Sequence, residues 1–251
     1  MFSLFFIDPL DEDLLAADLC EAGTAGITEE PGGMRAFFED GEEMVILRRF
    51  AVRSPVFRRE PETDWERKTL DSFHPLEIGR KLFLAPPWNH DPVPAGRIRL
   101  EILPGMACGT GWHTCTQLCL EALEQIIDLG DRVLDVGTGS GILSVAATLL
   151  GARSVAACDL DEAAVRIAAV RISGLVFCGS AEAVRDHWAD IVIANISSAA
   201  VESLRGEFAR VSRSRESTLI LSGFSEDDPP AGYATDEISL RDGWACWICR
   251  A

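Results

Sequence analysis

The sequence is short of positive charge. Lysine and arginine number 23 against 40 aspartate and glutamate residues in a chain of 251, which gives a formal net charge of −17. Because a polyanion repels other polyanions, this balance disfavours nucleic acid and anionic membrane surfaces as direct partners. It suits a basic protein as the partner, although an acidic surface that serves only solubility has the same composition.

The sequence also lacks a long apolar run and a recognisable secretory leader. No apolar stretch approaches the ~18 residues of a transmembrane helix. The apolar start, residues 2–7, has no basic segment before it and meets Asp8 too early for a signal peptide. We therefore expect a cytoplasmic protein.

The cysteines do not form a framework. Eight of them are scattered through apolar segments, which predicts buried, reduced thiols and no disulfide scaffold. The lone CxxC, Cys246 to Cys249, falls in a predicted strand, where positions i and i+3 face opposite sides of a sheet. No second CxxC completes a zinc site, so we expect no metal.

The first 68 residues have a pattern of their own. Residues 1–53 predict a small α+β domain, with a helix over 11–22 and strands over 2–7, 27–30, 34–38 and 44–47. Ferredoxin-like packing is compatible with this order but does not follow from it. Residues 54–68 are charged and contain proline, so we interpret them as a connector to a main domain over 69–251.

From residue 114 onward, predicted helices and strands alternate. The helices cover 114–128, 142–150, 161–172 and about 199–211, and the strands 132–136, 154–158, 175–178, 191–194 and 218–222. Segments 237–240 and 244–249 flank Asp242-Gly243 as a hairpin. The alternation predicts a Rossmann-like, mostly parallel sheet of seven strands with helices on both faces and an antiparallel C-terminal hairpin.

The strongest local signal is a run of three glycines, Gly137-Thr138-Gly139-Ser140-Gly141, between a buried strand and a helix. Glycine lets the backbone turn sharply and lets a ligand touch the main chain. The helix that follows presents unpaired N–H groups to polar ligand atoms. Dinucleotide loops have the spacing GxGxxG. Here the sixth position is Ile142, which favours a nucleoside cofactor without a pyrophosphate.

Asp159 follows the next strand, at about the distance (~20 residues) where dinucleotide-binding folds place a ribose-binding acid. Its carboxylate can accept two hydrogen bonds from a ribose diol. Because a nicotinamide dinucleotide would use the same carboxylate, an NAD-dependent oxidoreductase stays open as an alternative. A tight turn that binds nothing is the other interpretation of the glycines.

Together the glycine run and Asp159 resemble the superfamily of S-adenosylmethionine-dependent methyltransferases. Three more stretches, Pro104–Thr116, Ala194–Ile196 and Trp65–Trp88, make nearly the whole chain similar to the bacterial methyltransferases of the large-subunit ribosomal protein L-eleven. That resemblance implies S-adenosylmethionine as cofactor. It also implies lysine or N-terminal amines of that protein, free or ribosome-bound, as methyl acceptors. Residues 1–53 would be a substrate-recognition domain that reorients about the connector.

The resemblance also implies a set of site residues. Cofactor contacts are expected at Thr116, Gly137, Gly139, Asp159 and Asn195. The hydroxyl and N–H of Thr116, in the first turn of a helix, suit the methionine carboxylate. The amide oxygen of Asn195 can orient a substrate amine, which makes it the candidate catalytic residue. The alternatives are that Thr116 only starts its helix and that Asn195 only caps the next one.

Some positions depart from the family pattern. Cys108 replaces a phenylalanine, Thr114-Cys115-Thr116 replaces Pro-Thr-Thr, and no leucine follows Asn195-Ile196. Because some of these changes flank the expected amine pocket, another protein or a small molecule stays open as the substrate. A module that binds the cofactor without turnover stays open too. We interpret His113 as a loop-ordering hydrogen-bond donor instead of a general base.

Overall fold

The computed structural model describes residues 1–7, 15, 18–19, 22–24, 26–41, 43–59, 73–103 and 111–251. The chain forms two compact units, Met1–Thr69 and Leu70–Ala251. Most of the helix predicted over 11–22, the connector beyond Arg59, and residues 104–110 of the Pro104–Thr116 stretch lie outside the described residues. Cys20, Trp65 and Cys108 do so as well.

The N-terminal unit contains a four-stranded antiparallel sheet. Its elements are β1 Phe2–Ile7, β2 Gly26–Glu30, β3 Gly33–Phe38, helix α1 Glu43–Phe50, a 3-10 turn Ala51–Arg53 and β4 Val56–Arg59. The strand order is β2-β3-β1-β4, which is the order of a ferredoxin-like sheet. Alternate residues of β1, Phe2, Leu4 and Phe6, are buried in the core of this unit.

The strand predicted over 44–47 is wrong, because these residues lie in α1. Ile46 and Phe50 are four residues apart and both are buried, as expected for one face of a helix. Glu43 in the first turn and Arg48 in the last complement the helix dipole. A short apolar run does not distinguish a strand from a helix. Strand β4 falls within the predicted connector and pairs with β1.

The C-terminal unit is built on a seven-stranded sheet. Its strands are β8 Arg132–Val136, β9 Ser154–Asp159, β10 Leu175–Cys178, β11 Ile191–Asn195, β12 Thr218–Ser225, β13 Thr235–Arg241 and β14 Trp244–Arg250. They lie in the order β10-β9-β8-β11-β12-β14-β13. Strands β8 to β12 are parallel, and β13 and β14 form an antiparallel hairpin beside β12. This arrangement confirms the predicted Rossmann-like class.

Helices and a second sheet complete this unit. The helices are α2 Thr114–Ile126, α3 Ile142–Leu150, α4 Glu162–Ala169, α5 Ser198–Ser203 and α6 Arg205–Val211. The helix predicted over 199–211 is therefore two short helices. Strands β5 Leu76–Ile78, β6 Leu82–Ala85 and β7 Ile98–Glu101 form a separate three-stranded sheet. No described helix is long and apolar enough to cross a membrane.

Two buried apolar clusters lie on opposite faces of the seven-stranded sheet. Consecutive strand residues alternate between them, Val133 in the first and Leu134 in the second. Cys246 belongs to the first and Cys249 to the second, as their spacing predicts. The described cysteines are free thiols, but Cys178 is exposed, so the prediction of buried thiols is wrong there.

Candidate active site

A crevice of about 690 Å³ opens at the carboxyl ends of the parallel strands. The strand order reverses between β8 and β11, and open α/β sheets bind ligands at such a switch point. The volume is in the range of small-molecule sites. Every residue predicted for the cofactor lines this crevice: Thr116, Gly137, Gly139, Asp159 and Asn195.

The glycine run makes a bend that other residues adopt only with strain. Gly137, Gly139 and Gly141 have φ angles of 74°, 54° and 82°, in the left-handed region. A Cβ added to Gly137 would lie 2.3 Å from the Ile196 Cγ2. The N–H groups of Gly137 and Thr138 both donate to the Cys158 carbonyl, at 2.9 and 3.0 Å, which ties the bend to β9.

A buried carboxyl supports the bend from within the sheet. Asp135 of β8 is 1% exposed, and its Oδ2 accepts from the hydroxyls of Thr138 at 2.7 Å and Ser144 at 2.6 Å. Burial raises the pKa of Asp135, while these two hydrogen bonds act in the opposite direction. Its Oδ1 has no hydrogen-bond partner among the described residues. Because Asp135 holds the loop from one side, the loop main chain can face a ligand on the other.

Asp159 connects the bend to the next strand. Its Oδ2 accepts from the Gly139 N–H at 2.9 Å and its Oδ1 from the Asp161 N–H at 3.0 Å. Each carboxylate oxygen has a second lone pair, so the half-buried side chain can still accept from a ligand. Asp159 is therefore held in one orientation beside the crevice, as a ribose-binding carboxylate requires.

Asn195 and Thr116 meet although they are 79 residues apart. The Asn195 Nδ2 donates to the Thr116 Oγ1 at 3.3 Å, which leaves the Asn195 amide oxygen as an acceptor. The Thr116 N–H donates to the His113 carbonyl at 3.0 Å, so only the hydroxyl of the predicted pair stays available. Strand β12 has a bulge at Gly223, where the lack of a side chain lets the strand approach the backbone of Ile196. A Cβ at Gly223 would lie 2.6 Å from the Ile196 N.

Sequence reasoning missed part of the lining. His113 caps α2, with its Nδ1 accepting from the Cys115 N–H at 3.4 Å, so it is not the donor that the sequence suggested. Its ring packs edge-on against Trp244, with centroids 4.8 Å apart. Trp244, Ile142 and Ile196 also line the crevice. In the sequence, only the position of Trp244 after the Asp242-Gly243 turn could have indicated a place in this lining.

The crevice is acidic. Its ionisable lining residues are Asp159, Asp161, His113 and Cys115, with no lysine or arginine among the described residues that line it. The sulfonium and ammonium groups of S-adenosylmethionine are cationic and suit it.

The sheet order, the glycine bend and the acidic strand end define a Rossmann-like, S-adenosylmethionine-dependent methyltransferase. Comparison with known proteins narrows this class. A family model described as Ribosomal protein L11 methyltransferase (PrmA) matches residues 35–250. The chain belongs to the ribosomal protein L11 methyltransferase family. The predicted family, enzyme class and cofactor are thereby confirmed.

Individual relatives support the assignment. The chain is 33% identical to a ribosomal protein L11 methyltransferase of Pseudomonas putida, over 96% of this chain and 88% of the relative. For those of Deinococcus radiodurans and Geobacillus kaustophilus the identity is 35%, over 82% and 74% of this chain but 77% and 65% of the relatives. A solved ribosomal protein L11 methylase from Lactobacillus delbrueckii subsp. bulgaricus is 25% identical. Its TM-score is 0.63, and the match covers 71% of this chain and 98% of that one.

We expect the substitution Asp159→Asn to weaken binding of S-adenosylhomocysteine by at least about tenfold, since the charged acceptor for the ribose is lost. Asp161→Asn is the matched control. It removes the same charge from the same crevice, but Asp161 accepts from the Ala163 N–H as a helix cap, which asparagine also does. Titration calorimetry measures both. Equal losses for the two variants would show that Asp159 acts only through its charge.

Proposed function

We propose that this chain transfers methyl groups from S-adenosylmethionine to lysine side chains or the N-terminal amine of ribosomal protein L11. The observation that carries the proposal is the amide oxygen of Asn195, held as an acceptor by the bond to Thr116 in an acidic crevice. The names of the relatives supply the substrate. The net charge of −17 suits a basic protein partner. Action on a ribosomal protein agrees with the expected cytoplasmic location.

Methyl transfer requires the protein mainly to position the amine and the methyl group. S-adenosylmethionine supplies, when bound, an activated methyl group on a sulfonium. The amine must arrive neutral, and the ~10.4 pKa of a free lysine falls when the group is desolvated. Holding amine and methyl in line gives the main acceleration. The proton of the ammonium leaves to solvent, so the proposal assigns no side chain as general base.

Asn195 is the residue to which we assign that placement. Its amide oxygen accepts a hydrogen bond from the amine and thereby directs the nitrogen lone pair toward the methyl group. Its Nδ2 is held by the Thr116 hydroxyl at 3.3 Å, which fixes the orientation of the amide. Asn195 is the last residue of β11, a central strand buried along its length, so its backbone is as rigid as the sheet. Because β11 ends at the crevice, Asn195 is also a cofactor contact in the proposed site.

We further propose that residues 1–59, with β4 included because it pairs with β1, recognise the protein substrate, and that residues 69–251 carry the reaction. The support is apolar surface on the N-terminal unit itself. Ile7, Met44, Val45 and Val52 are 66%, 62%, 64% and 97% exposed. Exposed apolar side chains of this size are available to a protein partner. The Michaelis constant for the protein substrate is the quantity that this unit should govern.

The substrate proposal is tested with labelled S-adenosylmethionine and purified ribosomal protein L11. We expect label on L11 but not on other ribosomal proteins of similar charge, with mass spectrometry identifying the methylated amines. Label in a small-molecule fraction alone would favour the alternative substrate. Binding of S-adenosylhomocysteine without transfer to any acceptor would favour the silent binding module.

For the same transfer assay at saturating cofactor, we expect Asn195→Ala to lower kcat by about 100-fold, because the amine loses its alignment. Thr116→Val keeps the side-chain volume but removes the hydroxyl that holds the amide, so a smaller loss of about tenfold is expected. Calorimetry with S-adenosylhomocysteine separates binding from turnover. A variant Asn195→Ala with normal kcat would remove the assigned role.

A further inference from the structure

A second cavity lies at the other end of the same sheet. It has a volume of about 580 Å³, within the range of small-molecule sites. Arg153 and Ser154 at the start of β9 and Gly174 just before β10 line it. The active-site crevice takes the carboxyl ends of the strands, whereas this cavity takes the amino ends of β9 and β10. The two sites are therefore separate.

The cavity combines aromatic walls with positive charge. Phe177 and Trp188 line it and pack, partly buried, against the second apolar cluster. Its ionisable lining residues are Arg153 and Arg185, with no carboxylate among its described lining residues. In a chain of net charge −17, a lining with two arginines and no acid differs in sign from the chain as a whole.

Two nearby acids are paired with other arginines. Asp186, next to Arg185, is paired with Arg210 of α6. Asp190 pairs with Arg213 at 3.0 Å and accepts from a backbone N–H at 3.0 Å. Within the part of the chain that the structure describes, neither Arg153 nor Arg185 has an ion pair or a hydrogen bond through its guanidinium. Two guanidinium groups are thus available to an anion.

The wall that carries Arg185 and Trp188 is fixed in place. Arg210 donates to the carbonyls of Ala181 at 3.0 Å and Val184 at 2.7 Å. The backbone N–H of Trp188 donates to the Val211 carbonyl at 2.7 Å. A cavity whose wall is held by main-chain hydrogen bonds loses little freedom when a ligand binds.

We propose that this cavity binds an aromatic anion of mononucleotide size, with its ring against Phe177 and Trp188 and its phosphate on Arg153 and Arg185. A flat ring buries apolar area against the two aromatic side chains. The guanidinium groups match the geometry of a phosphate. The site is independent of the transferase reaction, because it shares no lining residue with the crevice.

The test uses guanosine 5′-monophosphate, titrated into the full chain saturated with S-adenosylhomocysteine. We expect binding with a Kd below about 1 mM, and binding of guanosine at least about tenfold weaker, since it lacks the anion. Arg153→Gln and Arg185→Gln should each weaken the nucleotide by about tenfold. Arg215→Gln is the matched control: an exposed arginine outside the cavity, with the same loss of charge.

A second variant separates a cavity from diffuse attraction. Ala183 lines the cavity and is exposed, so Ala183→Phe obstructs the site while the net charge and the core stay unchanged. We expect it to abolish nucleotide binding. Retained binding in this variant, equal binding of guanosine, or an equal loss in Arg215→Gln would overturn the proposal. Absence of nucleotide binding to the saturated protein would overturn it too.

Discussion

The hydrogen bond from the Gly139 N–H to the Asp159 carboxylate, 2.9 Å long, fixes the geometry on which the active site depends. It joins the glycine bend after β8 to the end of β9, and the Cys158 carbonyl adds two bonds from the same bend. The glycine bend thereby holds the Asp159 carboxylate at the crevice. The bend in turn needs glycine at Gly137, where Ile196 leaves no room for a Cβ. Loop, carboxylate and the β11 end consequently form one rigid unit.

Charge divides the sheet into two ends with different chemistry. At the carboxyl ends of the strands the crevice carries Asp159 and Asp161 without a cation among its described lining residues, which suits the cationic groups of S-adenosylmethionine and an incoming amine. At the amino ends of β9 and β10 the second cavity carries Arg153 and Arg185 without a carboxylate among its described lining residues. Arg153 immediately precedes β9 and Asp159 ends it, so the two ends of one strand carry opposite charges, while Arg185 comes from the loop between β10 and β11.

The sequence predicted most elements from residue 114 onward because their signals are local. Ile142–Leu150 has the predicted bounds, since Gly141 and Gly151 flank an apolar helix on both sides. The buried strands stand out as continuous apolar runs between turn residues. Failure came where a short apolar run had no such boundaries: residues 44–47, predicted as a strand, belong to helix α1. Burial of Ile46 and Phe50 in the tertiary structure favours the helix at this place, and a run of four residues does not contain that information.

In the candidate site, too, the features with local signals could be predicted and those that depend on tertiary packing could not. Gly137 and Asp159 follow from spacing along neighbouring strands. The contact of Asn195 with Thr116, the bulge at Gly223 and the place of Trp244 depend on how α2, β12 and β14 pack, across separations that periodicity does not report. The resemblance to a family supplied Thr116 and Asn195, and the structure supplied the reason that they meet.

The most direct measurement compares Gly137→Ala with Gly130→Ala by calorimetry with S-adenosylhomocysteine. Both glycines have positive φ, 74° and 99°, so both variants should lose a similar ~1–2 kcal/mol of stability to backbone strain. A Cβ at Gly130 has open space around it, whereas one at Gly137 meets Ile196 at 2.3 Å. We expect that only Gly137→Ala loses affinity, by more than about tenfold. Unchanged affinity in a folded Gly137→Ala variant would contradict this expectation.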